Sequence, residues 1–388
     1  MRIEDTDKER SRQEFVDEIL DSMKWLGLDW DELYYQSERF DLYKEYAKKL
    51  LDEGKAYKDG EAVILEMPQQ EVKIFDLIRG EIVFDTATIK DQVLIKSDGS
   101  PTYSFACAID DALMNISHVI RGEDHISNTP KQIVMCEALG FKLPKYAHLP
   151  LIMGEDGGRL SKRAGAVAVS DYRKTGFLPE ALVNYLMLLG WSPGANQEMI
   201  ALSQAVKKFS IKKVNKTAAA FSMDKLEWLN GQYIKQMDDG QLAELLVPFL
   251  KEKGYINGNF NGQELKNIVQ LFKGRLSTLE DFLNWTDFLF LENFGHDEEA
   301  KEKHLGEDRS QAFRLLSEGF QQIDLFSPEN VERAFRSIVE KIGLKTSDLV
   351  HPVRVVLTGR AVGPGLFETI SVLGKEKTVK RLQDAFKK

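Results

Sequence analysis

The chain has 388 residues, which is more than one hydrophobic core usually holds, so we expect two or three domains. Hydrophobic residues make up 43% and charged residues 29%, as in ordinary globular proteins, and no apolar run is long enough to span a membrane. The formal net charge of −9 excludes a uniformly basic coat for nucleic acid, but it still allows a local basic face that binds one specific polyanion.

The first residues carry no apolar segment of a secretory signal, so the expected location is the cytoplasm. Cys107 and Cys136 lie among apolar neighbours, and two buried thiols are favoured over a disulfide or a metal site. The six histidines are scattered without the spacing of zinc ligands, so no metal site is expected.

The first half of the chain alternates between strand and helix patterns. Residues 2–5 are read as the end of a strand, and a stripe of apolar residues at helical spacing then runs to Gly27. Further helices are predicted at 40–51, 103–113 and 129–139, strands at 62–65, 81–84, 92–95, 118–120 and 149–153, and a turn at 97–101. The alternation of helices and strands after residue 103 indicates a mostly parallel sheet with helices on its faces.

The second half of the chain is read as helical. A helical stripe from Leu182 to Leu189 ends at Gly190. Further helices are predicted at 241–252, 263–271, 277–289, 309–322, 328–342, 365–373 and 375–386, and the polar segment 293–308 is predicted to be a surface loop.

Three of the predicted strands are followed by polar sequence, at residues 4–7, 121–125 and 154–163. In an open parallel sheet, ligands bind outside the carboxyl ends of the strands. If the three strands are neighbours in one sheet, their polar ends therefore meet at a single crevice.

Several of these polar residues have two possible roles. Arg121 suits an acidic substrate, because a guanidinium binds a carboxylate through two parallel hydrogen bonds, but a surface pair with Glu123 or Asp124 is equally compatible with the sequence. Asp110 and Asp111 would either orient an ammonium group or cap a helix.

Other candidates would meet a nucleotide or a nucleic acid. The glycine-rich segment 154–163 carries Arg159, Lys162 and Arg163, and it would either close over a polyphosphate or form a solvated turn. His125 would either contact a nucleotide or remain a polar loop residue. A run of lysines would contact phosphate or form a solvated face, and it consists of Lys207, Lys208, Lys212, Lys213 and Lys216.

Seven sequence blocks, in this order, resemble the signature blocks of class I glutamyl-tRNA synthetases of the bacterial type. They are RIEDTD at 2–7, PTYSFACAIDD at 101–111, VIRGEDHISNTP at 119–130, LSKR at 160–163, GFLPEALVNYLMLLGW at 176–191, FSMDKLEWLNGQYI at 221–234 and HPVRVVLTGRAVGPGLFETISVLG at 351–374. The resemblance covers nearly the whole chain.

The resemblance implies an α/β Rossmann-like class I catalytic domain with a small β-rich insertion, followed by an α-helical anticodon-binding region. It assigns 1–52 and 103–158 to the catalytic domain, which would be incomplete at its amino terminus, and 53–102 to a shortened inserted acceptor-binding domain. It assigns 159–237 to the signature loop and tRNA stem contacts, and 238–388 to the anticodon-binding domain. A monomer is expected.

The resemblance also implies the reaction, which is the ATP-dependent attachment of L-glutamate to tRNA(Glu) through glutamyl-adenylate. Arg121 would hold the side-chain carboxylate of glutamate, Glu4 would face its amino group, and Tyr103 would line the pocket. Lys162 would stabilise the leaving pyrophosphate, with Mg²⁺ sharing the phosphate charge. The residues implied to contact ATP are Asp124, His125, Leu160, Ser161, Lys162 and Arg163.

The sequence departs from the family in two places. The opening strand and the HIGH-type motif of the family are expected before residue 2 and are not found in the chain, so we expect it to activate glutamate poorly as it stands, and an incomplete sequence is the favoured explanation. The segment 58–75 is short and has no cysteine, so no structural zinc is expected.

Three other functions were weighed against tRNA charging. A catalytically inactive tRNA-binding paralogue or fragment is the main alternative, because the HIGH-type motif is not found. An enzyme that attaches glutamate to a modified tRNA base is disfavoured, because such relatives lack a helical carboxyl-terminal domain. A glutaminyl-tRNA synthetase is disfavoured because those relatives end in β-barrels, whereas residues 238–388 are predicted to be helical.

Overall fold

The computed structural model describes residues 1–7, 9–158, 160, 168–194, 196–258 and 261–386 of the chain. The fold divides into two compact units. Unit 1 comprises Met1–Lys174 and Pro179–Leu226, and unit 2 comprises Thr175–Leu178 and Glu227–Lys388. No helix among the described residues is long and apolar enough to cross a membrane.

Unit 1 mixes helices with short strands. Its helices are α1 (Gln13–Trp25), α2 (Phe40–Asp52), α3 (Tyr103–Leu113), α4 (Thr129–Leu139), α5 (Val169–Lys174), α6 (Pro179–Leu188) and α7 (Leu202–Lys208). Its strands are β1 (Arg2–Ile3), β2 (Tyr34–Tyr35), β3 (Ala56–Asp59), β4 (Ala62–Leu65), β5 (Glu71–Asp76), β6 (Gly80–Asp85), β7 (Gln92–Ile95), β8 (His118–Gly122), β9 (Lys145–Leu149), β10 (Ile152–Met153) and β11 (Ala219–Ala220).

The strands pair in small groups. Three pairs are parallel, namely β1 with β2, β8 with β9 and β10 with β11, and each forms a separate two-stranded sheet. The inserted region is antiparallel, with β3, β4 and β7 in one sheet and β5 paired with β6 as a hairpin. The β3 and β5 strands were not predicted from the sequence.

The core of unit 1 lies where α2, α3 and α4 pack with β4 and β7. Tyr43, Leu50, Phe105, Ile109 and Met135 are fully buried there. Burial of each side chain of this size stabilises the fold by roughly 1.5–3 kcal/mol relative to exposure, so this core holds α3 and α4 firmly in place. The two cysteines are also buried and free, as predicted.

The prediction of one strand over 149–153 is wrong. The β9 strand ends at Leu149 and β10 begins at Ile152. Pro150 lies between them, and it has no N–H to donate to a neighbouring strand. The next N–H, on Leu151, donates instead to the carboxylate of Glu123 at 3.1 Å.

Unit 2 is helical, as predicted. The α8 helix (Met223–Gln236) crosses the boundary between the units. The other helices are α9 (Asp239–Glu252), α10 (Gly262–Phe272), α11 (Leu279–Phe290), α12 (Glu298–Leu305), α13 (Ser310–Gln321), α14 (Pro328–Lys341), α15 (Thr346–Thr358), α16 (Leu366–Leu373) and α17 (Lys375–Phe386).

The prediction of a loop over 293–308 is wrong, because α12 occupies its middle. Only Ala300 of this helix is buried, so the sequence has no apolar stripe that would indicate a helix. The helix is stabilised locally instead. The Asp297 carboxylate accepts a hydrogen bond from the Ala300 N–H at 3.2 Å, and acidic residues in the first turn and basic residues in the last turn complement the helix dipole.

Candidate active site

A cleft of about 810 Å³ opens in unit 1 between β1 and β8, and α3 lines it as well. Its polar residues include Arg2 in β1 and Glu4 directly after that strand. Tyr103 and Asp111 in α3 and Arg121 in β8 line it as well. The structure therefore brings together the polar ends of two of the three predicted strands. The third, after β10, contributes no described residue to this cleft.

Arg2 organises the carboxylates on the β1 side of the cleft. Its guanidinium donates to Asp111 at 2.8 Å and to Glu4 at 2.9 Å. The Cys107 thiol also donates to Glu4, at 3.3 Å, and burial raises the pKa of this thiol well above its ordinary value. Burial likewise raises the pKa of Asp111, and the attraction of Arg2 opposes that rise. Sequence reasoning missed Arg2, although it lies in the RIEDTD block.

Arg121 is held on the opposite side of the cleft by three hydrogen bonds. Its Nη1 donates to Gln132 Oε1 at 2.8 Å, its Nη2 donates to Thr129 Oγ1 at 2.8 Å, and its Nε donates to His148 Nε2 at 3.2 Å. A guanidinium has five N–H groups. Two of those of Arg121 therefore have no partner among the described residues and remain available for a ligand. The guanidinium also lies 5.9 Å from the ring centre of Tyr146.

The surface pairs considered for Arg121 do not form. Glu123 pairs with Arg79 instead, and Asp124 lies 3.9 Å from the ring of His125. Both partners of Arg121 on α4, Gln132 and Thr129, are buried. Arg121 is therefore fixed by buried partners on α4 and does not form the surface pairs that the sequence allowed.

Asp110 and Asp111 have different environments. The Asp110 carboxylate is fully buried and accepts hydrogen bonds from Gln36, Arg39 and Tyr43 at 2.7–3.0 Å, so it stabilises the core. Asp111 faces the cleft and pairs with Arg2. Neither residue caps a helix, and that predicted alternative is wrong.

Tyr103 and His125 are neighbours, with 5.9 Å between their ring centres. Burial raises the pKa of Tyr103, so its phenol keeps its proton and remains a hydrogen-bond donor. The side chains of Asp124 and His125 are 47% and 38% exposed, and both are therefore accessible to a ligand.

The remaining predicted site residues lie elsewhere. Leu160 is described, and its N–H donates to the Ile152 carbonyl at 3.3 Å, whereas Arg159, Ser161, Lys162 and Arg163 lie outside the described residues. The lysines of the run are all exposed, at Lys207, Lys208, Lys212, Lys213 and Lys216. No group of three or more His, Cys, Asp or Glu side chains among the described residues is placed to hold a metal ion.

Comparisons with known proteins match both units. The family of class I tRNA synthetases (E and Q), catalytic domain, matches residues 1–64 and 61–228, and an anticodon-binding domain family matches residues 241–386. The glutamate–tRNA ligases of Geotalea uraniireducens and Geobacter sulfurreducens are 44% and 42% identical to this chain over 424 aligned positions, and the alignments cover 99% of the chain and 90% of each relative.

A solved structure shows the same fold. The crystal structure of a glutamate tRNA ligase from Elizabethkingia meningosepticum in complex with its amino acid superposes with a TM-score of 0.86 at 29% identity, covering 100% of this chain and 92% of that chain. Fold, cleft and matches together define a class I aminoacyl-tRNA synthetase with a helical anticodon-binding region. Within that class, the chain belongs to the glutamate–tRNA ligase family, which confirms the resemblance found in the sequence blocks.

Proposed function

We propose that unit 1 binds L-glutamate in the cleft and that the enzyme uses ATP to attach it to tRNA(Glu). The observation that carries this proposal is the fixed guanidinium of Arg121, which offers two N–H groups to a carboxylate. Across the same cleft, the carboxylate of Glu4 suits the ammonium group of an amino acid, and Tyr103 supplies a hydroxyl donor. This combination suits the side-chain carboxylate and the ammonium group of L-glutamate.

The proposed chemistry has two steps. An oxygen of the α-carboxylate of glutamate attacks the α-phosphorus of ATP, and the bond to the β-phosphate breaks, which gives glutamyl-adenylate and pyrophosphate. A ribose hydroxyl at the end of the tRNA then attacks the acyl carbon, AMP leaves and the hydroxyl proton is released. Neither step requires a covalent enzyme intermediate, so catalysis consists of positioning and charge stabilisation.

ATP and tRNA are proposed to use further residues. Asp124, His125, Leu160, Ser161, Lys162 and Arg163 would contact ATP, and Lys162 would stabilise the departing pyrophosphate. Mg²⁺ is proposed to enter with the phosphates of ATP and to share their charge, because Mg²⁺ is usually held by substrate phosphates with only one or two protein carboxylates.

The tRNA would extend along the remaining segments. The exposed lysine run would contact its phosphates, 53–102 would meet its acceptor end, and the helices of 238–388 would read its anticodon. The catalytic-domain match is split at residues 61–64, which supports a shortened insertion. We also propose a cytoplasmic location and a monomer.

The test is the charging of purified tRNA(Glu) with labelled L-glutamate and ATP by the full-length gene product. We expect labelled aminoacyl-tRNA, with no product when L-glutamine replaces L-glutamate. Binding of the tRNA without any charging would contradict the proposal and favour a non-catalytic tRNA-binding protein.

A further inference from the structure

A buried carboxylate lies behind Arg121, on the hairpin of the inserted region. Asp76 ends β5, and its side chain is fully buried. Oδ1 accepts the N–H groups of Ile78 and Arg79 at 2.9 and 2.8 Å, and Oδ2 accepts the N–H and Nδ1 of His148 at 3.0 and 2.6 Å. Burial alone would raise the pKa of Asp76, but these hydrogen bonds lower it below its ordinary value, so the carboxylate is ionised.

The ionised carboxylate determines which nitrogen of His148 carries the proton. A carboxylate only accepts hydrogen bonds, so Nδ1 of His148 must be the protonated nitrogen. Burial lowers the pKa of His148, and the ring is therefore neutral near pH 7. Nε2 then has a free lone pair, and it lies 3.2 Å from Arg121 Nε and 3.1 Å from Thr129 Oγ1.

The neutral ring thus presents an acceptor to the guanidinium. If the proton were on Nε2, an N–H would face the N–H of Arg121, and the hydrogen bond could not form. Asp76 therefore acts on Arg121 through the tautomer of His148, in the way that outer groups orient a functional histidine.

We propose that Asp76 and His148 are positioning residues that fix the guanidinium of Arg121 for the carboxylate of glutamate, and that they couple the β5–β6 hairpin to the amino-acid site. The inference rests on the proposed function. A second contact supports the coupling, because Arg79 in the turn of the same hairpin pairs with Glu123, which directly follows β8.

Two substitutions of His148 distinguish a role in positioning the guanidinium of Arg121 from a role that only anchors the β5–β6 hairpin. In His148→Gln the amide oxygen reaches the place of Nε2 and still accepts from Nε of Arg121, but the side-chain donor to Asp76 is lost. In His148→Asn the amide N–H replaces Nδ1 and still donates to Asp76, but no side-chain atom of residue 148 reaches Nε of Arg121. KM values for glutamate and for ATP, measured in the tRNA-charging assay, do not depend on the fraction of folded enzyme.

We expect His148→Asn to raise KM for glutamate by about tenfold or more, with His148→Gln closer to wild type and KM for ATP unchanged in both. His304→Asn and His304→Gln, at a partly exposed histidine of unit 2, serve as matched controls. Equal effects of the two His148 variants, or a larger effect of His148→Gln, would overturn the inference. Failure of the wild type to charge glutamate would instead refute the proposed function.

Discussion

Arg2 and Asp111 form an ion pair inside the cleft, with 2.8 Å between Arg2 Nη1 and Asp111 Oδ1. The same guanidinium contacts Glu4, which is proposed to face the amino group of glutamate. One arginine therefore fixes the position of both carboxylates on this side of the cleft. Substrate binding and local stability should both depend on it.

Replacement of Arg2 by methionine should raise KM for glutamate several-fold and lower the free energy of unfolding. Asp111 is 19% exposed and would lose its partner, which costs about 1–3 kcal/mol. Charging kinetics and chemical denaturation measure the two effects. Arg10→Met is the control, because Arg10 is 89% exposed. If Arg2→Met behaves like Arg10→Met in both measurements, the ion pair has no such role.

Acidification should weaken glutamate binding through His148. Burial lowers the pKa of His148, so the folded protein resists protonation of this ring more than the unfolded chain does. The neutral His148 ring therefore makes its full contribution to the stability of the fold above about pH 6.5. That contribution is lost as the pH falls through the lower folded-state pKa of His148. The charged or titratable groups around the ring are Asp76, Arg121, His125 and Tyr146.

We expect KM for glutamate to rise in the wild type as the pH falls below about 6.5, and to rise less in His148→Gln, which has no ring to protonate. Because the two proteins differ only at residue 148, the difference between the two profiles reports His148. Parallel profiles of the two proteins would show that His148 does not titrate in this range.

Arg381 should be a main stabilising residue of unit 2. It donates to the carbonyls of Leu357, Phe288 and Leu291 at 2.6, 2.7 and 3.3 Å, and it lies 4.2 Å from the ring centre of Phe294. Burial lowers the pKa of Arg381 to about 10, so it remains charged at pH 7. Its charge lies near the carboxyl ends of α11 and α15, where helix dipoles favour a cation.

Arg381→Met should therefore lower the free energy of unfolding by about 2–4 kcal/mol, because buried carbonyls lose a charged donor. Lys380→Met is a matched control at the neighbouring position, since the Lys380 side chain is 65% exposed. Chemical denaturation followed by circular dichroism measures both variants. Equal midpoints for the two would contradict the assignment.

The lysine run should contribute to tRNA affinity. Replacement by glutamine should weaken binding and flatten its salt dependence, with a slope reduced by about 0.7–0.9 for each phosphate contact that is lost. The substituted positions are Lys207, Lys208, Lys212, Lys213 and Lys216. Binding is measured as a function of salt concentration, and Lys44→Gln with Lys48→Gln on α2 is the control. An unchanged slope in the run variant would mean that these lysines do not meet phosphate.

Local sequence patterns predicted the elements that the core stabilises. The bounds of α3 and α4 agree with the prediction, and α4 is followed at once by Gly140, whose φ of +74° favours glycine. The α12 helix was missed because it depends on capping and charge rather than on an apolar stripe. The strand over 149–153 was overextended because Pro150 interrupts the pairing.

The site was predicted only in part, because its contacts join distant segments. Arg121 was found from its place at a strand end and from the resemblance, Glu4 and Tyr103 received their roles from the resemblance alone, and the structure places all three at one cleft. Asp76 and His148 were missed, since they lie 72 positions apart and no periodicity links them. A sequence shows that a polar residue is present, but only the fold shows that it is buried and what it contacts.

The proposed binding of the glutamate carboxylate by Arg121 is tested by the glutamate dependence of tRNA charging in Arg121→Lys. A lysine keeps the charge but has no planar fork, so it cannot satisfy Gln132, Thr129 and His148 while also binding a carboxylate through two hydrogen bonds. We expect KM for glutamate to rise about 100-fold in Arg121→Lys and to stay at the wild-type value in Arg173→Lys, where the arginine is 52% exposed on α5. An Arg121→Lys enzyme with the KM of the wild type would contradict the proposed binding.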